Sequence, residues 1–201
     1  GKLESFEVLA IPMFILMGAV VASSRAGGDL YSVLDRWLTR VPGGLVISNL
    51  GACAIFSALS GSSPATCAAI GKMGIPAMRE RGFPDTVAAG SIAAGGTLGI
   101  LIPPSIMLIV YAAASGVSIV RLYAGALLPG LTLVGLYLLY VMGRAMLQPK
   151  AAPRPTSDEI PEVPLPQVLW MLATSFFPLA FLILAVLGSI LFGLATPTEA
   201  A

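Results

Sequence analysis

Apolar positions run almost unbroken through five stretches, roughly Val8–Ser24, Gly43–Met78, Thr86–Val120, Leu122–Gly143 and Leu169–Leu194. Arginine, aspartate and proline gather in the short segments between them. Stretches of this length suit helices that cross ~30 Å of hydrocarbon with ~20 residues. The pattern predicts an all-α integral membrane protein, with transmembrane helices over residues 1–24, 122–143 and 168–195. Over residues 25–42 the period changes. Leu30, Val33, Leu34, Trp37 and Leu38 share one helical face, and Asp29, Ser32, Asp35, Arg36 and Thr39 share the other. Such a two-faced segment predicts an amphipathic helix lying in the membrane interface. Residues 148–167 are rich in proline and acidic side chains, a composition that buries too little apolar surface to fold, and read as a cytoplasmic linker.

Two of the apolar stretches carry a break at their centre. Residues 60–66 read Ser-Gly-Ser-Ser-Pro-Ala-Thr, a turn rich in hydroxyls inside residues 43–78. Gly61 lets the backbone turn closely and Pro64 forbids one continuous helix. The arms on either side would be about 25 Å and 21 Å long at 1.5 Å per residue, too short to span comfortably. Basic residues favour the same reading. If this segment entered and left on one side, Arg25, Arg36 and Arg40, then Arg79 and Arg81, then Arg144, Lys150 and Arg154 would all face the cytoplasm, as the bias of basic residues requires. Residues 43–78 are therefore expected to form a re-entrant helical hairpin. The second break, Gly-Gly-Thr-Leu-Gly-Ile-Leu-Ile-Pro-Pro-Ser at 95–105, sits mid-way through residues 86–120 and predicts a discontinuous transmembrane helix.

Irregular backbone at membrane depth persists only where it is buried in protein or lines a polar cavity. Adjacent interrupted segments point to a transporter binding site, where exposed carbonyls meet a cation and half-helix N-termini meet an anion. A plainer reading treats Gly95 and Gly99 as a helix-packing motif. Two breaks together, one with four hydroxyls at Ser60, Ser62, Ser63 and Thr66, favour transport.

Composition narrows the chemistry. The 201 residues are 57% hydrophobic and 10% charged, with net charge +1, no histidine and two cysteines. The mean hydropathy is +0.92. No basic run with interleaved aromatics suggests nucleic acid, no cluster has metal-ligand spacing, and neither a serine–histidine set nor paired carboxylates suggest an enzyme. No cofactor is expected. Cys53 and Cys67, set among small residues, read as packing residues. Carboxylates and histidines, which mark proton relays in membranes, are missing from the interiors of both broken segments, and Lys72 is expected to snorkel to the cytoplasmic interface. Hydroxyl and carbonyl oxygens suit a hard cation such as Na⁺. The first residues have no basic n-region, no cleavage site and no initiator methionine, so a signal peptide is not expected and the chain is expected to begin inside a larger protein.

The segments LAIPMFILMGAVV, SGSSPATCAAIGKMGIPAM, GTLGILIPPSIMLIVYAAASGVSI, AGALLPGL and ATPTEAA together resemble the large (M, DctM-like) membrane subunit of tripartite ATP-independent periplasmic (TRAP) transporters. The resemblance covers nearly everything outside the amphipathic segment and the linker. It implies an elevator-type fold of the ion-transporter superfamily with two inverted repeats, of which this chain would hold the first and, at residues 196–201, the start of the second. It implies a sodium symporter of the bacterial inner membrane that imports organic acid anions. Its partners would be a small membrane subunit and a periplasmic substrate-binding protein. By motif, Ser60, Gly61, Ser62, Ser63 and Thr66 would supply the hairpin's share of the ion and substrate site, and Gly96, Thr97, Gly99, Pro103, Pro104 and Ser105 the facing break. Na⁺ would lie near Ser60, Ser62, Ser63, Gly96 and Gly99. The family subunit is about twice as long, so the second repeat's share is expected outside this chain. Alternatives are a sodium/carboxylate carrier that needs no binding protein, and a structural membrane scaffold in which the breaks serve packing. A passive channel is disfavoured by the lack of a charged ring.

Overall fold

The structure, a computed structural model, describes residues 12–13, 15–17, 19–20, 25–38, 41, 43–147, 170, 173–174 and 177–196. The linker expected over 148–167 lies outside them, as do most of residues 1–24 and all of the last six residues but Thr196. Among the described residues the chain is entirely helical, with no strand. Helix α1 covers Arg25–Leu38, α2 Gly44–Ser60, α3 Ser63–Glu80, α4 Asp85–Gly96, α5 Leu98–Leu101, α6 Ile106–Ser115, α7 Ile119–Leu147 and α8 Phe177–Leu191. Taken through its breaks, Asp85–Ser115 runs 31 residues, and Ile119–Leu147 runs 29; both are long and apolar enough to cross a membrane.

Helices α2 and α3 form an antiparallel hairpin. Ser57 and Ser60 of α2 meet Thr66 near the start of α3, while Asn49 nearer the start of α2 meets Met78 near the end of α3. The turn is shorter than the motif suggested, because only Gly61 and Ser62 lie outside the helices. Pro64 falls in the first turn of α3, where its missing N–H has no intrahelical acceptor to lose. It starts a helix rather than merely breaking one. Gly61, at φ 57°, closes α2 in the left-handed conformation that a side chain resists, and donates its N–H to Ser57 O at 2.9 Å.

Helix α2 is the centre of the molecule. Leu50, Ala52, Cys53, Phe56 and Leu59 are all buried; Ala52, Cys53 and Phe56 pack among Ile70 and Met78 of α3, Ala88 and Ile92 of α4, and Tyr31 of α1, while Leu59 packs with Leu30 of α1 and Leu179 of α8. A second apolar cluster joins α6, α7 and α8 through Ile109, Ala112, Ile119, Tyr123 and Ile190. Two polar side chains that this central helix buries reach its neighbours: Ser48 Oγ donates to Leu34 O and Gly44 O, and Asn49 Nδ2 reaches Met78 Sδ and Ser91 Oγ, leaving Asn49 Oδ1 without a partner.

The expected amphipathic segment is a helix, and its surroundings differ from a free interfacial one. Leu30, Tyr31 and Val33 are buried against the hairpin, whereas Trp37 is 61% exposed. On its polar face Asp35 is drawn into protein rather than solvent: Arg81, just past α3, donates Nη1 and Nη2 to Asp35 Oδ1 and Oδ2 at 2.6 and 2.7 Å. Helix α1 is thereby clamped to the returning end of the hairpin. Side-chain exposures of 26% and 14% and the two-pronged geometry make this pair stronger than a surface one. A double-mutant cycle with Asp35→Asn and Arg81→Gln, read by thermal unfolding, should give a coupling of about 1–2 kcal/mol. The Arg79–Asp85 pair, 60% and 69% exposed, should give a much smaller coupling, because solvent screens it. Equal couplings would mean that the clamp is solvated.

The same contacts place the basic residues. Asp35 beside Arg81 puts the end of α1 next to the end of α3, and a Cβ built on Gly43 would lie 3.1 Å from Ala145 Cβ, which puts the end of α7 there too. Arg36, Arg79 and Arg144 each stand in the last turn of a helix at this one end of the bundle, where a cation also complements the helix dipole.

Candidate functional site at the facing helix breaks

The two breaks, separated by some forty residues in sequence, meet in the interior of the fold. Gly61 O accepts the N–H of Ile106, at the start of α6, at 3.1 Å. On Gly61 itself a Cβ would sit 2.6 Å from Pro104 O, so only glycine lets that carbonyl approach. On Gly99 a Cβ would lie 2.8 Å from Ser63 N and 2.9 Å from Ser62 C. At Gly96 it would overlap Cys67 Sγ, and at Gly95 it would come within 2.7 Å of Cys53 Cβ. One face of the broken helix is thus bare backbone, against which the hairpin tip and both cysteines pack.

Around the tip the hydroxyls form a connected set. Thr66 Oγ1 donates to Ser62 O at 2.9 Å and lies 2.9 Å from Ser60 Oγ and 3.4 Å from Ser57 Oγ. Ser60 Oγ also donates to Ser62 O, at 3.3 Å. These bonds fix the turn. They engage the hydroxyls of Ser57, Ser60 and Thr66, whereas Ser63 Oγ is buried and has no hydrogen-bond partner. A buried hydroxyl left unpaired costs about 1–3 kcal/mol, so it marks a place where a missing species would be welcome. It belongs to the first residue of α3, the positive end of an 18-residue helix.

The sequence-derived residues divide accordingly. Ser60, Gly61, Ser62, Ser63, Thr66, Gly96, Gly99 and Pro104 come together at the junction. Pro103 and Ser105 are buried in the broken stretch; Pro103 and Pro104 are joined by a cis peptide bond, and Ser105 Oγ is satisfied by Ile100 O at 2.8 Å. Thr97 is not at the tip. It is exposed, bonded to Ala94 O and, at 3.1 Å, to Tyr137 Oη of α7. Ser57 was absent from the sequence-derived set although it stands one helical turn before Ser60, a spacing that puts both on one face. Tyr137 and Asn49 carry no such local signal, since their partners lie on other helices.

No Asp, Glu, Lys or Arg takes part in the junction's hydrogen bonds, and among the described residues no group of three His, Cys, Asp or Glu could hold a metal ion. What the site offers is oxygen, neutral and hard, beside a helix N-terminus. An all-helical chain with two segments able to cross a membrane, built around two breaks that face each other, has the architecture of a membrane transport protein.

Residues 1–201 match the family described as the DctM component of the tripartite ATP-independent periplasmic transporter, and the chain belongs to that family. It is 39% identical over 201 residues to the C4-dicarboxylate TRAP transporter large permease protein DctM of Pseudomonas aeruginosa, covering 98% of this chain and 44% of that protein. The corresponding protein of Vibrio cholerae is 39% identical over 199 residues, covering 98% and 42%. The isethionate TRAP transporter permease protein DctMQ of Oleidesulfovibrio alaskensis is 37% identical over 200 residues, covering 100% and 30%. The chain therefore spans less than half the length of these relatives.

Proposed function

We propose that this chain is part of the permease of a sodium-coupled importer of organic acid anions, fed by a periplasmic substrate-binding protein and assembled with a small membrane subunit in the bacterial inner membrane. The hairpin is re-entrant from the cytoplasmic side, and the paired breaks form one half of the ion and substrate site. The observation that carries this reading is the buried, unpartnered Ser63 Oγ where the hairpin tip meets the broken helix. Depth agrees: from the basic end, α2 reaches about 25 Å and α4 about 18 Å at 1.5 Å per residue, which sets the junction within a ~30 Å hydrocarbon layer. The names of the relatives favour a small organic acid as cargo.

Within this scheme Na⁺ enters as co-transported cargo. Ser63 Oγ and neighbouring carbonyls would replace part of its water shell, with no proton to exchange. Charge from the cation and from the N-terminus of α3 would then offset that of a bound anion. Release follows when the transport unit, moving as an elevator, exposes the junction to the other side.

The test is uptake of radiolabelled C4-dicarboxylates and isethionate into proteoliposomes holding the assembled permease, with and without an inward Na⁺ gradient and the purified binding protein. Uptake that needs both is expected. Uptake with Na⁺ alone would favour the binding-protein-independent carrier, and uptake indifferent to Na⁺ would overturn the coupling. Ser63→Ala separates site from scaffold. Deleting a buried, unpaired hydroxyl should raise the thermal midpoint measured without Na⁺, while the Na⁺ concentration for half-maximal uptake rises about tenfold, the equivalent of one charge-assisted ligand at ~1.4 kcal/mol. Unchanged Na⁺ dependence would remove Ser63 from the site.

A further inference from the structure

A cavity lies apart from the junction, at the end of the bundle where the basic residues collect. It is a half-open groove of about 390 Å³ between α2, α4 and α7. That volume falls within the ~300–1,000 Å³ usual for bound small molecules. Val46 and Leu50 form its floor, Val87 and Ala94 one wall and Val141 the other. A Cβ on Gly90 would meet nothing within 4 Å, so the wall is open there. One charge lines the groove: Arg144, whose Nη1 donates to Tyr140 Oη at 2.9 Å. The Arg79–Asp85 and Arg81–Asp35 ion pairs do not involve Arg144.

The geometry points to a site for an anionic phospholipid, with its phosphate on Arg144 and Tyr140 and one acyl chain lying along Val46, Leu50, Val87 and Ala94. Three features select this occupant. An apolar slot with a single cation at its mouth matches an amphiphile; a small hydrophilic acid would leave the walls uncovered. Basic pockets between helices on the cytoplasmic side are where lipid headgroups are held, and tyrosine is favoured at that depth. Finally, Arg144 stands in the last turn of α7, level with Arg79 and Arg36, where headgroups would lie once the chain is in a bilayer. The lipid would brace α7 against the hairpin through a gap that side chains do not fill. The inference needs the membrane placement but neither sodium coupling nor a substrate, and its readout is independent of uptake.

The experiment uses the assembled permease in phosphatidylcholine vesicles doped with either phosphatidylglycerol or phosphatidylcholine carrying a diazirine in the acyl chain. After illumination, adducts are mapped by mass spectrometry. The peptides holding Val87–Ala94 and Tyr137–Ala145 should be labelled about fivefold more by the anionic probe, the ratio that one basic side chain at a membrane surface confers. Arg144→Gln should abolish that preference and Arg144→Lys should keep it, while Gly90→Phe should clear the groove of both probes and leave labelling at outward-facing Leu131 and Leu139 intact. Equal labelling by the two probes, or a preference that survives Arg144→Gln, overturns the anionic site. Labelling at Leu131 and Leu139 with none in the groove overturns it too, since protein would then fill the space.

Discussion

Gly61→Ala is expected to cut uptake by the assembled permease at least tenfold and to lower its thermal midpoint, more than any other glycine-to-alanine change among the described residues. Two costs combine. The left-handed backbone at φ 57° costs an L-residue about 1–2 kcal/mol. The added methyl would also sit 2.6 Å from Pro104 O, a backbone atom with no rotamer by which to yield, so the two breaks must move apart. Overpacking of this kind costs a further ~1–3 kcal/mol. Gly82 supplies the control. It has φ 74° but nothing within 4 Å of its would-be Cβ, so Gly82→Ala should show the backbone cost alone and near-normal uptake. If both variants behave alike in uptake and unfolding scans, the close approach of tip and broken helix is not what Gly61 serves.

Gly96→Ala should be nearly as harmful, and, unlike Gly61→Ala, it should be repairable. Its new methyl would overlap the Cys67 sulfur, a side-chain atom that can be removed. In the double variant Gly96→Ala, Cys67→Ala the methyl takes space the thiol vacates, and α4 gains an alanine in place of glycine, worth about 0.5–1 kcal/mol in a helix. A thermal-unfolding cycle should show a favourable coupling of roughly 1–2 kcal/mol. Gly99→Ala meets the backbone at Ser63 N and Ser62 C, so Cys67→Ala should not relieve it. Additive effects of Gly96→Ala and Cys67→Ala would show that these two positions do not touch.

Gly95 and Gly99 could be taken as a packing motif or as part of a binding site. The contacts make them a packing surface, Gly95 against Cys53 and Leu50 of α2 and Gly99 against Ser62 and Ser63 of the tip. Lys72 is exposed midway along α3, and Cys53 and Cys67 act as small packing side chains against Gly95 and Gly96.

Periodicity, length and hydropathy were enough to fix helical class, the two interrupted segments and most residues of the junction, because each depends on local physics: hydrocarbon runs must be helical in lipid, and glycine, proline and serine clusters end helices wherever they fall. Charge added the expectation that Arg36, Arg79 and Arg144 share one end. Other features needed distant residues to meet. That Asp35 is clamped by Arg81, that Thr97 turns away toward Tyr137, that Pro104 O rests on Gly61, and that Ser63 at the hairpin tip keeps a buried, unpaired hydroxyl are all products of tertiary packing. A side chain's composition says which bonds it can make; only the neighbours brought to it by the fold decide which are made, and so which oxygen is left free for a ligand.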